Sequence, residues 1–378
     1  MRGSFNIEIC ALLLSLVVLL RQTELAENIA LGSMVRVVST AFLWGPLLVA
    51  INRLDDKEMD SLRFWMSVAG IVIGVWGMLI YLTESKYLIR TAIWGNTDMA
   101  TDLMSRDAES IVTGRFIVMG IFTVVPSAYW YVLRGILAQN RQHWLWSASL
   151  YAGIGAILIS VGISVTRSLL LLLGIGTVVM LGSSVLATGK DRRYRTRMLT
   201  TLAIGGCLLG VALLRIDLTF VVGQYQHRFS MLGIDDSNVI ARLDDSANAW
   251  AYIKHDLPLF GAPGPNPLAN YRQTGDPALP MFLWLYYGLP GLVLASILFL
   301  VAFWRLFKCW LAHQLDPEQQ MIRSMLTAWA TCYVYVWIAG SYMFPPEVFF
   351  MVLFFSETTR FYRKCMAGTN SQLRQAVA

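Results

Sequence analysis

Residues Trp144 to Ile163 read WLWSASLYAGIGAILISVGI, a run without one charged side chain. About twenty apolar residues wound as a helix rise ~30 Å, the thickness of a bilayer's hydrocarbon core. Ten candidate apolar spans are counted, some with a charge inside them, at about 5–20, 29–51, 64–83, 113–133, 144–163, 168–187, 198–216, 281–304, 322–343 and 347–359. The last is short and is read as tilted or re-entrant. Inside lipid the backbone must satisfy its own hydrogen bonds, so only helices and closed barrels span it. Barrel strands alternate apolar and polar residues, and these runs do not. The expected fold is therefore all-α: a polytopic helical membrane protein of about ten transmembrane helices.

Composition agrees. Of 378 residues, 56% are hydrophobic and 14% charged, whereas soluble domains carry roughly a quarter charged residues. A soluble globule this apolar would expose large adhesive patches. The net charge of +6 does not point to nucleic acid, because the basic residues cluster in short loops beside apolar runs, where they report topology. The first run, Phe5 to Leu20, resembles a signal-peptide core. It contains Glu8 and has no small-x-small site before Arg21, so it is read as a retained span. None of the five cysteines (Cys10, Cys207, Cys309, Cys332, Cys365) lies between Asp217 and Pro280, so no disulfide framework is expected. No Cys/His spacing suits zinc.

The loop GKDRRYRTR, Gly189 to Arg197, is the strongest cytoplasmic marker. Arg134 and Arg141, the segment Arg305 to Arg323 and the tail Arg360 to Arg374 add further basic loops. With ten spans these fall on one side together with both termini, and the positive-inside rule makes that side cytoplasmic. The opposite face receives Arg21 to Asn28, Glu84 to Val112 and the long segment Asp217 to Pro280. Three parts follow: 1–216 with helices one to seven, 217–280 as a periplasmic loop module with short helices, and 281–378 with helices eight to ten and a cytoplasmic tail. A connection of about 60 residues exceeds the usual unstructured loop, so it is expected to be folded and functional.

Within that loop stands RLDDSANAWAYIKHDLPLFGAPG, Arg242 to Gly264. Asp244, Asp245 and Ser246 suit a helix N-cap, and Ala247, Trp250, Ala251 and Lys254 follow at helical spacing. Arg242 then precedes the helix and Pro258 ends it. The Gly- and Pro-rich segment after it predicts a tight turn that exposes backbone. Trp250 and Ile253 form an apolar face for packing on span tops or lying in the membrane interface.

An arginine, a short helix, Pro258-Leu259-Phe260-Gly261 with Gly264, and then Tyr287-Gly288-Leu289-Pro290-Gly291 opening a span resemble the superfamily of O-antigen polymerases and O-antigen ligases. The stretch TRSLLLLLGIGTVVML, Thr166 to Leu181, is similar to the start of the span two before the large loop in that superfamily, with Arg167 as its arginine. The resemblance covers about residues 144–305. It departs at one place. The ligases carry a catalytic histidine shortly before the Gly-Leu-x-Gly motif, where this chain reads Gly275-Asp276-Pro277-Ala278-Leu279-Pro280. That favours a polymerase, with Asp276 the ionisable residue left at the position.

The resemblance implies a metal-independent membrane glycosyltransferase without a cofactor. Donor and acceptor are undecaprenyl-diphosphate-linked glycans, the setting is membrane lipid of the bacterial inner membrane, and a chain-length regulator is the candidate protein partner. Nucleic acid is not a partner. A departing polyprenyl diphosphate needs cations more than a strong acid, and an arginine fork binds phosphate oxygens in pairs. The candidate catalytic residues are Arg167, Arg242, Arg228 and Asp276. The candidate substrate-binding residues are Arg36, a charge inside an apolar run, with His255, Trp250, Gly261 and Gly264. Bland readings stand beside these. Arg115 and Arg215 are snorkelling anchors. His227 and His255 are possible bases or solvated loop residues. Asp235-Asp236 and Asp244-Asp245 are paired carboxylates read as unsuited to a metal, since adjacent loop residues point apart and capping already explains the second pair. Trp250, Tyr252, Tyr271 and Trp284 suit sugar stacking, but an interfacial aromatic belt is the commoner explanation for such residues. The alternative functions are an O-antigen ligase acting on lipid A-core, a polysaccharide or lipid transporter, and a non-catalytic scaffold.

Overall fold

The structure is a computed structural model that describes residues 2–23, 31–83, 124–137, 144–163, 172–179, 237–256, 259–261, 278–311, 317–339 and 345–377, with isolated positions at 169, 196, 199–200 and 203. The described residues form helices and turns, with no strand among them. The helices are α1 (Arg2–Thr23), α2 (Leu31–Trp44), α3 (Pro46–Arg53), α4 (Asp56–Thr83), α5 (Val124–Leu137), α6 (Trp144–Ile163), α7 (Ser237–Asp256), α8 (Leu279–Leu311), α9 (Pro317–Ala339) and α10 (Pro345–Val377). Among the described residues, the segments Asp56–Leu79, Trp144–Val161 and Leu279–Leu311 are long and apolar enough to cross a membrane.

The chain forms two compact units. One comprises Met1–Leu54, Gly233–Leu326 and Tyr333–Ala378; the other comprises Asp55–Leu232 and Thr327–Cys332.

In the second unit α4, α5 and α6 pack against one another. A reciprocal cap starts α4: the Glu58 N–H donates to Asp55 Oδ1 at 2.7 Å, and the Asp55 N–H donates to Glu58 Oε2 at 2.8 Å. That cap begins the helix at Asp56, ahead of the expected span 64–83. Small residues let the helices touch. A Cβ added at Gly70 would lie 2.8 Å from the Ala128 carbonyl oxygen, and one at Gly74 would lie 2.9 Å from the Ile157 nitrogen. At these contacts serine hydroxyls donate to neighbouring backbone, Ser67 to the Tyr131 carbonyl at 2.9 Å and Ser160 to the Gly74 carbonyl at 3.0 Å.

In the first unit α1 packs on α2, α3 and α8, and α10 packs on α2, α3 and α8. An aromatic cluster joins α8, α9 and α10, with the Phe299 ring 5.1 Å from that of Phe355 and 5.8 Å from that of Tyr333. The expected span 29–51 is not one helix. Ser15 of α1 inserts its hydroxyl into the ladder, accepting from the Gly45 N–H at 2.7 Å and donating to the Ala41 carbonyl at 2.6 Å. Pro46 follows with no N–H of its own, and the helix divides there into α2 and α3.

A polar chain crosses the same unit. Asn52 donates from Nδ2 to Glu8 Oε1 at 3.1 Å and accepts from Ser356 Oγ at 2.8 Å. Arg360 donates from Nη2 to the Ile51 carbonyl at 2.9 Å and also to the Leu54 carbonyl. Arg305 donates from Nη1 to Thr359 Oγ1 at 2.7 Å. These bonds carry α10 past residue 359, so the segment Arg360 to Arg374 that was expected as a tail continues the helix to Val377.

Candidate functional site

Two sequence features singled out above, the turn after Pro258 and the Gly288–Gly291 motif, meet in the first unit. α8 is broken at Gly288, whose backbone takes φ 71° and ψ −178°. Only glycine adopts that conformation readily. The turn at 259–260 ends in Gly261 with φ 97° and lies against the break. The Leu289 N–H donates to the Leu259 carbonyl at 2.8 Å in place of a helical partner. A Cβ at Gly288 would lie 2.6 Å from the Leu259 oxygen and 2.6 Å from the Phe260 backbone.

The motif's other residues fit the same geometry. Pro290 opens the second half of α8 at a position where a missing N–H costs little. Gly291 is a close-approach site: a Cβ there would lie 2.3 Å from the Tyr287 Cβ. An interrupted helix inside an apolar segment concentrates backbone polar groups, and irregular backbone at such a depth occurs where protein or a water-filled cavity covers it.

α7 docks beside this break. Ser246 Oγ accepts from the Ala278 N–H at 3.3 Å. Ala249 and Ile253 are buried, and the Trp250 ring meets Trp284 edge-on at 6.5 Å. The expected start of this helix is corrected. α7 begins at Ser237, so Asp244, Asp245 and Ser246 are mid-helix residues and not caps, and Arg242 stands within the helix instead of before it. The earlier cluster Asp235-Asp236-Ser237 is an equally good start in sequence. By helical spacing position 242 shares the stripe of 246, 249 and 253.

The other candidates are distributed as follows. His255 is exposed near the end of α7, and Trp250 is half exposed at the docking edge. Gly261 is in the turn against Gly288. Arg36 is a position of α2, eight residues before Trp44. Arg167, Arg228, Gly264 and Asp276 lie outside the described residues, as do Arg115, Arg215, His227 and Tyr271. Positions 242, 250 and 255 thus share α7, with Gly261 in the turn after it, and by helical spacing the exposed His255 is on the face opposite position 242.

Two features escaped the sequence reading. One is the backbone bond between Leu259 and Leu289, for which the paired glycines were the only signal. The other is Glu347, a carboxylate at the head of an apolar run.

Comparison with known protein families, with curated proteins and with solved structures found no match to this chain.

Proposed function

We propose that the chain is a polytopic glycosyltransferase of the bacterial inner membrane that polymerises undecaprenyl-diphosphate-linked repeat units of O-antigen, capsule or exopolysaccharide at the periplasmic face. The observation that carries this reading is the seat of the Leu259 turn on Gly288 and Leu289. It brings together the two motifs on which the resemblance to the polymerase and ligase superfamily rests, next to the helix that bears Arg242. In this reading about ten helices cross the membrane, both termini are cytoplasmic, and α7 with its turn is periplasmic.

In the reaction, an acceptor hydroxyl on one lipid-linked unit attacks the anomeric carbon of another. A carbon–oxygen bond forms to the acceptor, and the carbon–oxygen bond to the diphosphate breaks. Undecaprenyl diphosphate leaves with the electron pair, and the hydroxyl proton passes to a base, for which His255 and Asp276 are the candidates. Arg242, Arg167 and Arg228 hold the diphosphate, with Arg36 as a further contact. Cations fixed in a partly dry site stabilise the leaving anion without reorganising. No metal is required.

The missing histidine near Asp276 separates polymerase from ligase. Purified protein given only its cognate lipid-linked repeat unit is expected to produce a ladder of longer lipid-linked chains, in chelator as well as without it. In cells, loss of the gene is expected to leave the acceptor carrying a single repeat unit. A protein inert on repeat units alone that transfers glycan once lipid A-core is added is a ligase, and that result would overturn the polymerase assignment.

A further inference from the structure

The turn that seats on α8 carries two large apolar side chains on its outside. Leu259 is 56% exposed and Phe260 72% exposed, although their backbone is packed against Gly288. Exposed apolar residues this large on a loop mark a surface that something else covers.

α8 shows what covers it. After the break at Gly288 the helix exposes Val293, Ile297, Leu300, Trp304 and Phe307, which by helical spacing lie on one face. This face belongs to a helix long and apolar enough to cross a membrane. Its far end is marked by Trp304, with the Lys308 ammonium 5.2 Å from the ring centroid, a pairing suited to a headgroup boundary. Leu289 stands one helical turn before Val293 and so heads the same stripe. The turn is bonded there, through the Leu289 N–H to the Leu259 carbonyl. Exposed Leu259 and Phe260 therefore adjoin the head of the apolar stripe.

Depth follows from the rise of the helix. Leu289 to Trp304 is an unbroken fifteen residues, ~23 Å. The hydrocarbon core of a bilayer is ~30 Å thick. With Trp304 at one boundary, the turn does not reach past the other. The edge-on pair of Trp250 and Trp284 lies on the side of the break away from Trp304, where a second aromatic belt belongs. Lys254 and His255 are exposed near the end of α7, and a lysine stem is long enough to keep its charge among headgroups.

We propose that the turn after α7 is a membrane wedge: Leu259 and Phe260 insert among the acyl chains of the leaflet opposite Trp304 and Lys308, and bilayer phospholipid is the partner of this surface. The wedge rests on α8 crossing a bilayer and does not depend on the glycosyl-transfer reading.

The test uses the unaltered full chain in vesicles of one phospholipid species mixed with the same lipid carrying a diazirine on an acyl chain. Light expels nitrogen, and the carbene inserts into whichever side chains touch the chains. Peptide mass spectrometry reads the adducts. They are expected on Leu259 or Phe260 and on Leu300 of α8, and not on Asn248, which is exposed on α7. Adding undecaprenyl phosphate is expected to leave the pattern unchanged. A labelled Leu300 beside an unlabelled turn would mean that protein, such as a second copy, covers the turn, and the wedge would be wrong. No label on Leu300 would remove α8 from lipid and the proposal with it. Labelling of Asn248 as heavy as that of Phe260 would contradict the depth. Loss of label at the turn alone on adding undecaprenyl phosphate would make it a groove for a polyprenyl chain and overturn the assignment to bulk phospholipid.

Discussion

The main-chain N–H of Leu289 donates to the carbonyl of Leu259 at 2.8 Å, so a turn that follows α7 caps a break in the middle of α8. Each element explains the other. The break frees a donor that the turn accepts, and the turn lies so close that residue 288 has no room for a side chain.

Gly288→Ala is expected to lower stability by at least ~1–3 kcal/mol from backbone strain, with the contact to Leu259 and Phe260 adding to it. Gly174 is the comparison: a Cβ there would meet nothing within 4 Å. Gly174→Ala should be neutral or raise stability by ~0.5–1 kcal/mol, because alanine is the better helix former. Thermal unfolding in detergent distinguishes them, and equal melting temperatures for the two variants would remove the strained-turn account.

Gly45→Ala is expected to destabilise more than Ser15→Ala. The added methyl would lie 2.8 Å from the Leu12 Cα and 2.9 Å from the Ala11 carbonyl oxygen, backbone atoms that cannot swing aside. Removing the Ser15 hydroxyl leaves Gly45 and Ala41 able to bond directly if the helix straightens, so its cost stays near ~1 kcal/mol. Melting temperatures in the reverse order would show that the inserted hydroxyl, and not the close approach, holds α1 to α2.

Asn52 joins Glu8 to Ser356 through opposite ends of one amide. Asn52→Asp replaces the donor facing Glu8 with a second carboxyl and should cost more than Asn52→Ala, which itself strands buried partners at ~1–3 kcal/mol. Glu8→Gln keeps an acceptor and is expected to be mild. Chemical unfolding of the three variants gives the order directly.

For topology, cysteine at Asn248 should react with a membrane-impermeant maleimide from the periplasmic side, and cysteine at Thr196 should not. Both positions are exposed, so burial does not confound the comparison. Asn248 also spares Ser246, whose hydroxyl accepts from Ala278. The opposite labelling would reverse the orientation and the site assignment with it.

Arg242→Ala and Arg167→Ala are expected to abolish long-chain glycan while leaving the protein in the membrane. Lysine at either position should restore only part of the activity, because an ammonium does not reproduce a two-pronged phosphate contact. Glycolipid electrophoresis beside an immunoblot is the measurement. Full activity with lysine at both positions would reduce their role to charge.

The elements legible in advance were those that water and lipid alone dictate. The run 144–163 is the span of α6, residue for residue, because uncharged stretches of that length have one stable form in an apolar setting. α7 was placed but started too late. Asp235-Asp236-Ser237 and Asp244-Asp245-Ser246 are nearly the same cap in sequence, and the choice between them fell to packing, with Ala249 and Ile253 buried and Ser246 turned to Ala278. The glycines and prolines of 258–264 and 288–291 announced irregular backbone without saying what each faced.

By itself, then, the order of residues determined an all-helical, largely apolar chain and the places where its helices had to be interrupted, since both follow from local hydrogen bonding and side-chain transfer. Only the tertiary structure decided that Ser15 would divide the ladder at Gly45, that Asn52 would answer Glu8, that Leu259 would cap Leu289 and that Glu347 would be buried. Each depends on two segments distant in sequence arriving within bonding range, and no local propensity encodes that distance.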